Sequence, residues 1–123
     1  MPWKARLNGE PVFVELTYSG MVTPQDLLEA LAAAGKLAQE GRTQRFLADL
    51  TTMIGGHSIA HLYELITLLE ANGVDRAMKE AIVSPNLDGN QEQMRFYETA
   101  CLNRGYRVRL FRARGEALAW LFA

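Results

Sequence analysis

The chain is poor in thiols, imidazoles and long apolar runs. Cys101 is the only cysteine in 123 residues, which excludes an internal disulfide and a multi-thiolate zinc site. The two histidines, His57 and His61, stand four residues apart with Glu64 nearby. They are the only metal-like group and fall short of a zinc ligand set, so no metal is expected. The longest strictly apolar stretch, Ala117–Ala123, is far below the ~20 residues of a membrane helix. Met1-Pro2-Trp3-Lys4-Ala5-Arg6 lacks the apolar core of a signal peptide, so a cytoplasmic location is expected. Neither sign of charge dominates: 13 Lys and Arg against 14 Asp and Glu leave a net charge of −1. The strongly basic balance of a nucleic-acid binder is missing. There is no Gly-x-Gly-x-x-Gly and no Gly-Lys-Ser/Thr, so no nucleotide-binding loop and no cofactor are expected. With 49% hydrophobic residues and no low-complexity tract, disorder is excluded as well. The length suits a single domain over residues 1–123.

What is present is an alternation of strand and helix patterns. Trp3 to Leu7, Asn8-Gly9-Glu10 and Val12 to Tyr18 read as a hairpin, because Asn-Gly tolerates positive φ. In its second arm Val12, Val14, Leu16 and Tyr18 share one face and Phe13, Glu15 and Thr17 the other, which predicts one buried and one partly wet face. Thr23-Pro24 with Asp26 opens a helix that Gly41 is expected to stop. Arg45 to Leu50 reads as a strand, and Gly55-Gly56-His57-Ser58 leads into a second helix closed by Asn72-Gly73. Lys79 to Ser84 is the next strand, ended by Pro85. Asn90 opens a third helix with Met94, Tyr97 and Cys101 on its inner face, and Gly105 ends it. Tyr106 to Phe111 and a short final helix complete the order ββαβαβαβα. This predicts an α/β fold: a five-stranded mixed, mostly parallel sheet with four helices, joined by right-handed crossovers.

Several groups invite chemistry. Asp49 ends a strand, where open α/β sheets place ligands. A response-regulator receiver would need further carboxylates at the end of an earlier strand, but Thr17-Tyr18-Ser19-Gly20 has none. Cys101 lies on an apolar helix face, as expected of a small buried hydrophobe rather than a nucleophile. Gly55-Gly56-His57-Ser58 has the makings of a small anion nest before a helix. Charge is uneven along the chain. Residues 100–123 carry +4 and the rest −5, with Arg104, Arg107, Arg109 and Arg112 forming a basic patch. Arg107 and Arg109 alternate with Val108 and Leu110 and project from one face of the last strand. They suit either an edge strand protected by charge or an acidic partner or anionic ligand. Aromatics interleaved with this patch are limited to Tyr106 and Phe111, so nucleic acid is not expected. Trp120-Leu121-Phe122 offers apolar area for a homodimer.

The hairpin, the Asp49-Leu50-Thr51 strand end, the helix after it and the terminal Glu116-Ala117-Leu118-Ala119-Trp120-Leu121 resemble the SpoIIAA-like branch of the STAS superfamily. The resemblance spans essentially the whole chain and implies a non-enzymatic regulatory domain that binds a protein partner, such as an anti-sigma-factor antagonist. In such antagonists a Ser or Thr at the start of the helix after the central strand is phosphorylated, which releases the partner. The matching position is Ser58, within a loop of Thr51, Thr52, Gly55, Gly56 and His57. The family's Asp-Ser-Ser/Thr-Gly pattern is absent here, since Gly56-His57 precedes Ser58 and Ile59-Ala60 follows it. Ser58 is expected foremost to cap the helix, since Ser is a preferred N-cap. The branch is also similar to CRAL-TRIO lipid-exchange domains. That implies, as the alternative, a small apolar or anionic ligand between helices and sheet, near Phe13, Leu62 and Met94.

Overall fold

The computed structural model describes residues 2–54, 59–71, 74–84 and 91–123, with the side chains of 59–62, 91 and 93 outside the description. The elements follow the predicted order: β1 (Trp3–Asn8), β2 (Phe13–Met21), α1 (Pro24–Gly41), β3 (Arg45–Ile54), α2 (Ile59–Ala71), β4 (Lys79–Val83), α3 (Gln91–Asn103), β5 (Arg107–Phe111) and α4 (Arg114–Leu121). The five strands lie side by side in chain order. β1 pairs antiparallel with β2, and the other three pairs are parallel.

This sequential order decides where the helices go. A right-handed crossover repeated in one direction puts every crossover helix on the same face of the sheet. Residues of α1, α2 and α3 (Leu27, Ala30, Ala34, Ile66, Leu69, Met94, Tyr97, Cys101) accordingly share one core with Val14, Leu16, Ala48, Ile82 and Val108. The opposite face is left to α4. There Ala117 and Leu121 pack on Phe13, Leu47, Ala81 and Val83, with Phe111, Trp120 and Phe122 at the margin.

That second core corrects the reading of β2. Phe13, Val14, Glu15 and Leu16 are all buried, so neither face of the strand's first half is wet. The hairpin is also longer than the Asn-Gly signal suggests. Gly9 has the expected positive φ of 78°, but β2 begins at Phe13, beyond a cis Glu10–Pro11 bond, rather than at Val12. β3 runs four residues past its predicted end, to Ile54.

Local signals otherwise explain the helix ends. Thr23 Oγ1 accepts from Asp26 N–H at 3.1 Å while Asp26 Oδ2 accepts from Thr23 N–H at 2.9 Å, a reciprocal cap that satisfies two orphan donors. Gly41 proves to be the last residue of α1, and the left-handed position falls to Arg42, with φ 52°. The glycine serves close approach instead: a Cβ there would lie 2.7 Å from Leu7 Cδ2. Gly105, with φ 86°, takes the left-handed turn after α3 as expected. The predicted closing pair Asn72-Gly73, Pro85 and the cap Asn90 lie outside the described residues.

Short α4 is fixed to the sheet by polar contacts at both ends. Glu15, on the α4 face of β2, has a side chain only 5% exposed. It accepts from Arg6 Nη2 at 3.0 Å, from Asn8 Nδ2 at 2.9 Å, and from Arg114 Nη1 in the first turn of α4. Burial alone would raise its pKa, but the hydrogen bonds from Arg114, Arg6 and Asn8 outweigh this and hold the carboxylate below its ordinary range. At the other end the terminal carbonyls of α4 are taken by cations from the sheet: Arg45 Nε donates to Leu121 O at 3.2 Å and Lys79 Nζ to Trp120 O at 2.9 Å. No basic residue stands in the helix's own last turn, so β3 and β4 supply the charge that complements its negative pole.

Replacing Glu15 with Gln removes the charge that Arg6, Asn8 and Arg114 share and is expected to cost about 2 kcal/mol, read from urea unfolding at neutral pH. Glu15 stabilises the fold above its unfolded pKa, and that contribution fades as pH falls through the lower folded value. The gap between wild type and Glu15→Gln therefore narrows on acidification.

Candidate functional site

At the carboxyl ends of the strands the sheet is uneven. β4 ends at Val83, opposite Asp49, while β2 and β3 continue as a pair to Met21 and Ile54. The register shifts between Thr17, opposite Asp49, and Ser19, opposite Thr52, so β3 carries one extra residue there, a bulge. Thr52 Oγ1 donates to the Tyr18 carbonyl at 3.3 Å, tying the two strands at that point. Asp49 Oδ1 accepts from the backbone N–H of Thr51 at 2.9 Å and from its hydroxyl, so the Asp-Leu-Thr segment organises itself. The pair ends in two exposed apolar side chains, Met21 at 68% and Ile54 at 59%, directly opposite each other. Thr51 and Thr52 are exposed just before them.

Thr51 and Thr52 thus stand together on a projecting tip. Gly55, Gly56, His57 and Ser58, which follow directly in the chain, lie outside the described residues, as does the side chain of His61. Met21 and Ile54 are the members of this surface that sequence reasoning missed. The signal for Ile54 was available: Thr51-Thr52-Met53-Ile54 is rich in strand-favouring residues and continues the strand before it.

The four arginines of the basic patch do not sit together. Arg104 belongs to the helical side, where its Nε pairs with Glu70 Oε1 at 3.0 Å and its guanidinium lies 5.1 Å from the Tyr63 ring centroid. Arg107 and Arg109 alternate with buried Val108 and so project from the α4 face. Arg112 is exposed just before α4. Of the apolar residues expected for a homodimer, Leu121 is fully buried, Trp120 lies against Phe111 at 5.6 Å, and Phe122 meets Phe13 edge-on at 5.8 Å. They complete the second core.

The expected ligand-lining trio is also divided. Phe13 belongs to the α4 face and Met94 to the three-helix face, so the sheet separates them, and the Leu62 side chain lies outside the described residues. Among the described residues no three His, Cys, Asp or Glu side chains form a metal-binding group, and no helix is long and apolar enough to cross a membrane. Cys101 is fully buried, and burial pushes its thiol up to about 12, which suits packing rather than attack. It lies near a polar cluster inside the three-helix core, where Tyr97 Oη donates to Glu80 Oε1 at 3.3 Å. Burial raises the Glu80 carboxyl to about 7 despite that hydrogen bond.

A family model described as SpoIIAA-like matches residues 13–122. No curated protein matches the sequence closely enough to count as a relative. Two crystal structures are similar over nearly the whole chain. One is an uncharacterized protein with a SpoIIAA-like fold from Shewanella loihica (TM-score 0.65, 16% identity, 97% of this chain and 93% of that one). The other is an anti-sigma factor antagonist from Mycobacterium paratuberculosis (TM-score 0.66, 12% identity, 98% and 95%). At such identities the likeness establishes the fold.

The raised pKa of Glu80 sets the sign of a pH effect. The folded chain holds this proton at pH values where the unfolded chain has lost it, so stability is greatest below the unfolded value, near 4.5, and falls as pH rises towards 7. Glu80→Gln is expected to remove that decline, which urea midpoints of both proteins at acid and mildly alkaline pH will read.

Proposed function

The chain belongs to the SpoIIAA-like family, and from that premise we propose that it is a cytoplasmic, non-enzymatic regulatory domain that binds a protein partner. The partner docks on the carboxyl-end tip of β2 and β3, as an anti-sigma-factor antagonist would engage its own partner. The observation that carries this reading is the exposed pair Met21 and Ile54 beside Thr51 and Thr52. Two large apolar side chains held in water by a paired strand end suit burial in a complex. Ser58, with Gly55, Gly56 and His57, follows this tip directly in the chain and is the proposed phosphorylation position. A helix start accepts phosphate through its unpaired N–H groups, and the added charge of about −1.5 to −2 would oppose an apolar contact next to it.

Photo-crosslinking from position 54 in the native host is expected to trap one protein partner. Met21→Ser with Ile54→Asp should weaken its capture by about tenfold or more without lowering the melting temperature, since both positions are exposed. Phosphopeptide mapping should find Ser58 modified, and Ser58→Asp should weaken the same complex. Crosslinks that form only from other faces, or an interaction unchanged in Met21→Ser/Ile54→Asp, would refute the docking surface.

A further inference from the structure

The molecule carries a second surface, at the opposite end of the sheet, that the proposed docking tip does not use. Strand register places Arg45, Lys79 and Arg107 side by side on β3, β4 and β5. Neighbouring strands lie ~4.8 Å apart, so three cations stand within about 10 Å. Arg109 lies two residues further along β5 and on the same side. Ordinarily such a row repels itself, and burial together with the charges of Arg107 and Arg45 holds the Lys79 amine below its usual range. The row persists because each cation also has a neutral partner. Arg45 and Lys79 cap α4, and Arg107 donates to the Ala77 carbonyl. Arg45 lies over Phe122 at 5.1 Å, Lys79 over Trp120 at 4.8 Å and Arg109 over Phe111 at 5.5 Å. Among the described residues, none of the four forms an ion pair; the ion pairs are those of Glu15 and Glu70 with Arg6, Arg114, Arg76 and Arg104.

We propose that this face, formed by Arg45, Lys79, Arg107 and Arg109, docks an acidic segment of a protein partner. Rings beneath the Arg45 and Arg109 guanidinium groups fix their planes, and that leaves N–H groups free for carboxylates at little cost in side-chain entropy. Charge complementarity and size select the occupant. The patch is about as wide as one Debye length, ~8 Å at physiological salt, and it sits on a chain whose residues outside these four cations sum to −5. A compact run of Asp and Glu meets the cations alone, whereas a long polyanion or a charged bilayer also meets the acidic body. The aromatic rings do not offer base-stacking faces, because Lys79 and Arg45 lie over Trp120 and Phe122, whose other contacts are Phe111 and Phe13. Among the described residues no large exposed apolar side chain stands here for membrane insertion; Met21 and Ile54 are at the opposite end of the sheet, and Tyr63 and Leu102 are on α2 and α3. Strand addition is hindered at Leu110, whose outward N–H on edge strand β5 is taken by Glu98 Oε2 at 2.7 Å. The four cations offer contact through their side chains.

The test titrates the full chain with a labelled oligoglutamate peptide, an oligoglutamine peptide, a single-stranded oligothymidylate, and vesicles of phosphatidylcholine with phosphatidylserine. The expected result is selective binding of oligoglutamate that weakens by about tenfold between low and physiological salt. Arg107→Glu with Arg109→Glu should abolish it. Lys36→Glu with Gln25→Glu and Gln39→Glu, an equal change of net charge on exposed positions of α1, should leave most of it. Equal loss in both variants, no peptide binding, or tighter binding of the oligonucleotide or the vesicles would overturn the proposal. None of these outcomes bears on the docking tip at Met21 and Ile54, which the crosslinking experiment decides separately.

Discussion

The handedness of strand crossovers governs this molecule. With strands laid down in chain order and every parallel connection right-handed, α1, α2 and α3 have only one face of the sheet to occupy. The other face then needs its own cover, and eight residues of α4 provide it. So short a helix is marginal in isolation. Its position depends on what the sheet offers: Glu15 for the guanidinium at its start, Arg45 and Lys79 for the carbonyls at its end, and Phe13 for the ring of Phe122.

The same arrangement divides polar chemistry between the two ends of the sheet. At the carboxyl ends the β2–β3 pair outruns β4, so hydroxyl and apolar side chains stand free of the main body. At the amino ends of β3, β4 and β5, cations gather because they complement the negative pole of α4. Within the three-helix core, Glu80, Tyr97 and Cys101 all have their charged forms disfavoured by burial. Neutral groups in a packed core support a framework, and the exposed hydroxyl, apolar and cationic side chains are left to its two ends.

Much of the architecture was legible because local signals and periodicity agreed. The Thr23-Pro24-Asp26 start, the left-handed turn at Gly105 and the alternation of Arg107 and Arg109 with Val108 each fix geometry within a few residues. What was not legible depended on distant partners. Nothing near Glu15 in sequence announces Arg114, ninety-nine positions away, so its face of β2 read as wet. Gly41 looked like a helix stop because the side chain it makes room for, Leu7, belongs to the far end of the first hairpin. The arginines near the end of the chain read as one patch because proximity in sequence does not reveal that a sheet passes between Arg104 and Arg107. Conversely, Arg45 and Lys79 join Arg107 only through strand register, which a linear reading does not contain.

Following all five strands in chain order gives α4 a consequence for how this sheet is made. Synthesis is vectorial, and all five strands and three helices leave the ribosome before Arg114–Leu121 does. During that interval Phe13, Leu47, Ala81 and Val83 form a finished apolar sheet face with nothing over it. Until α4 docks, that face is open to the same contacts from another chain, and a truncation ahead of Arg114 would leave it bare and adhesive.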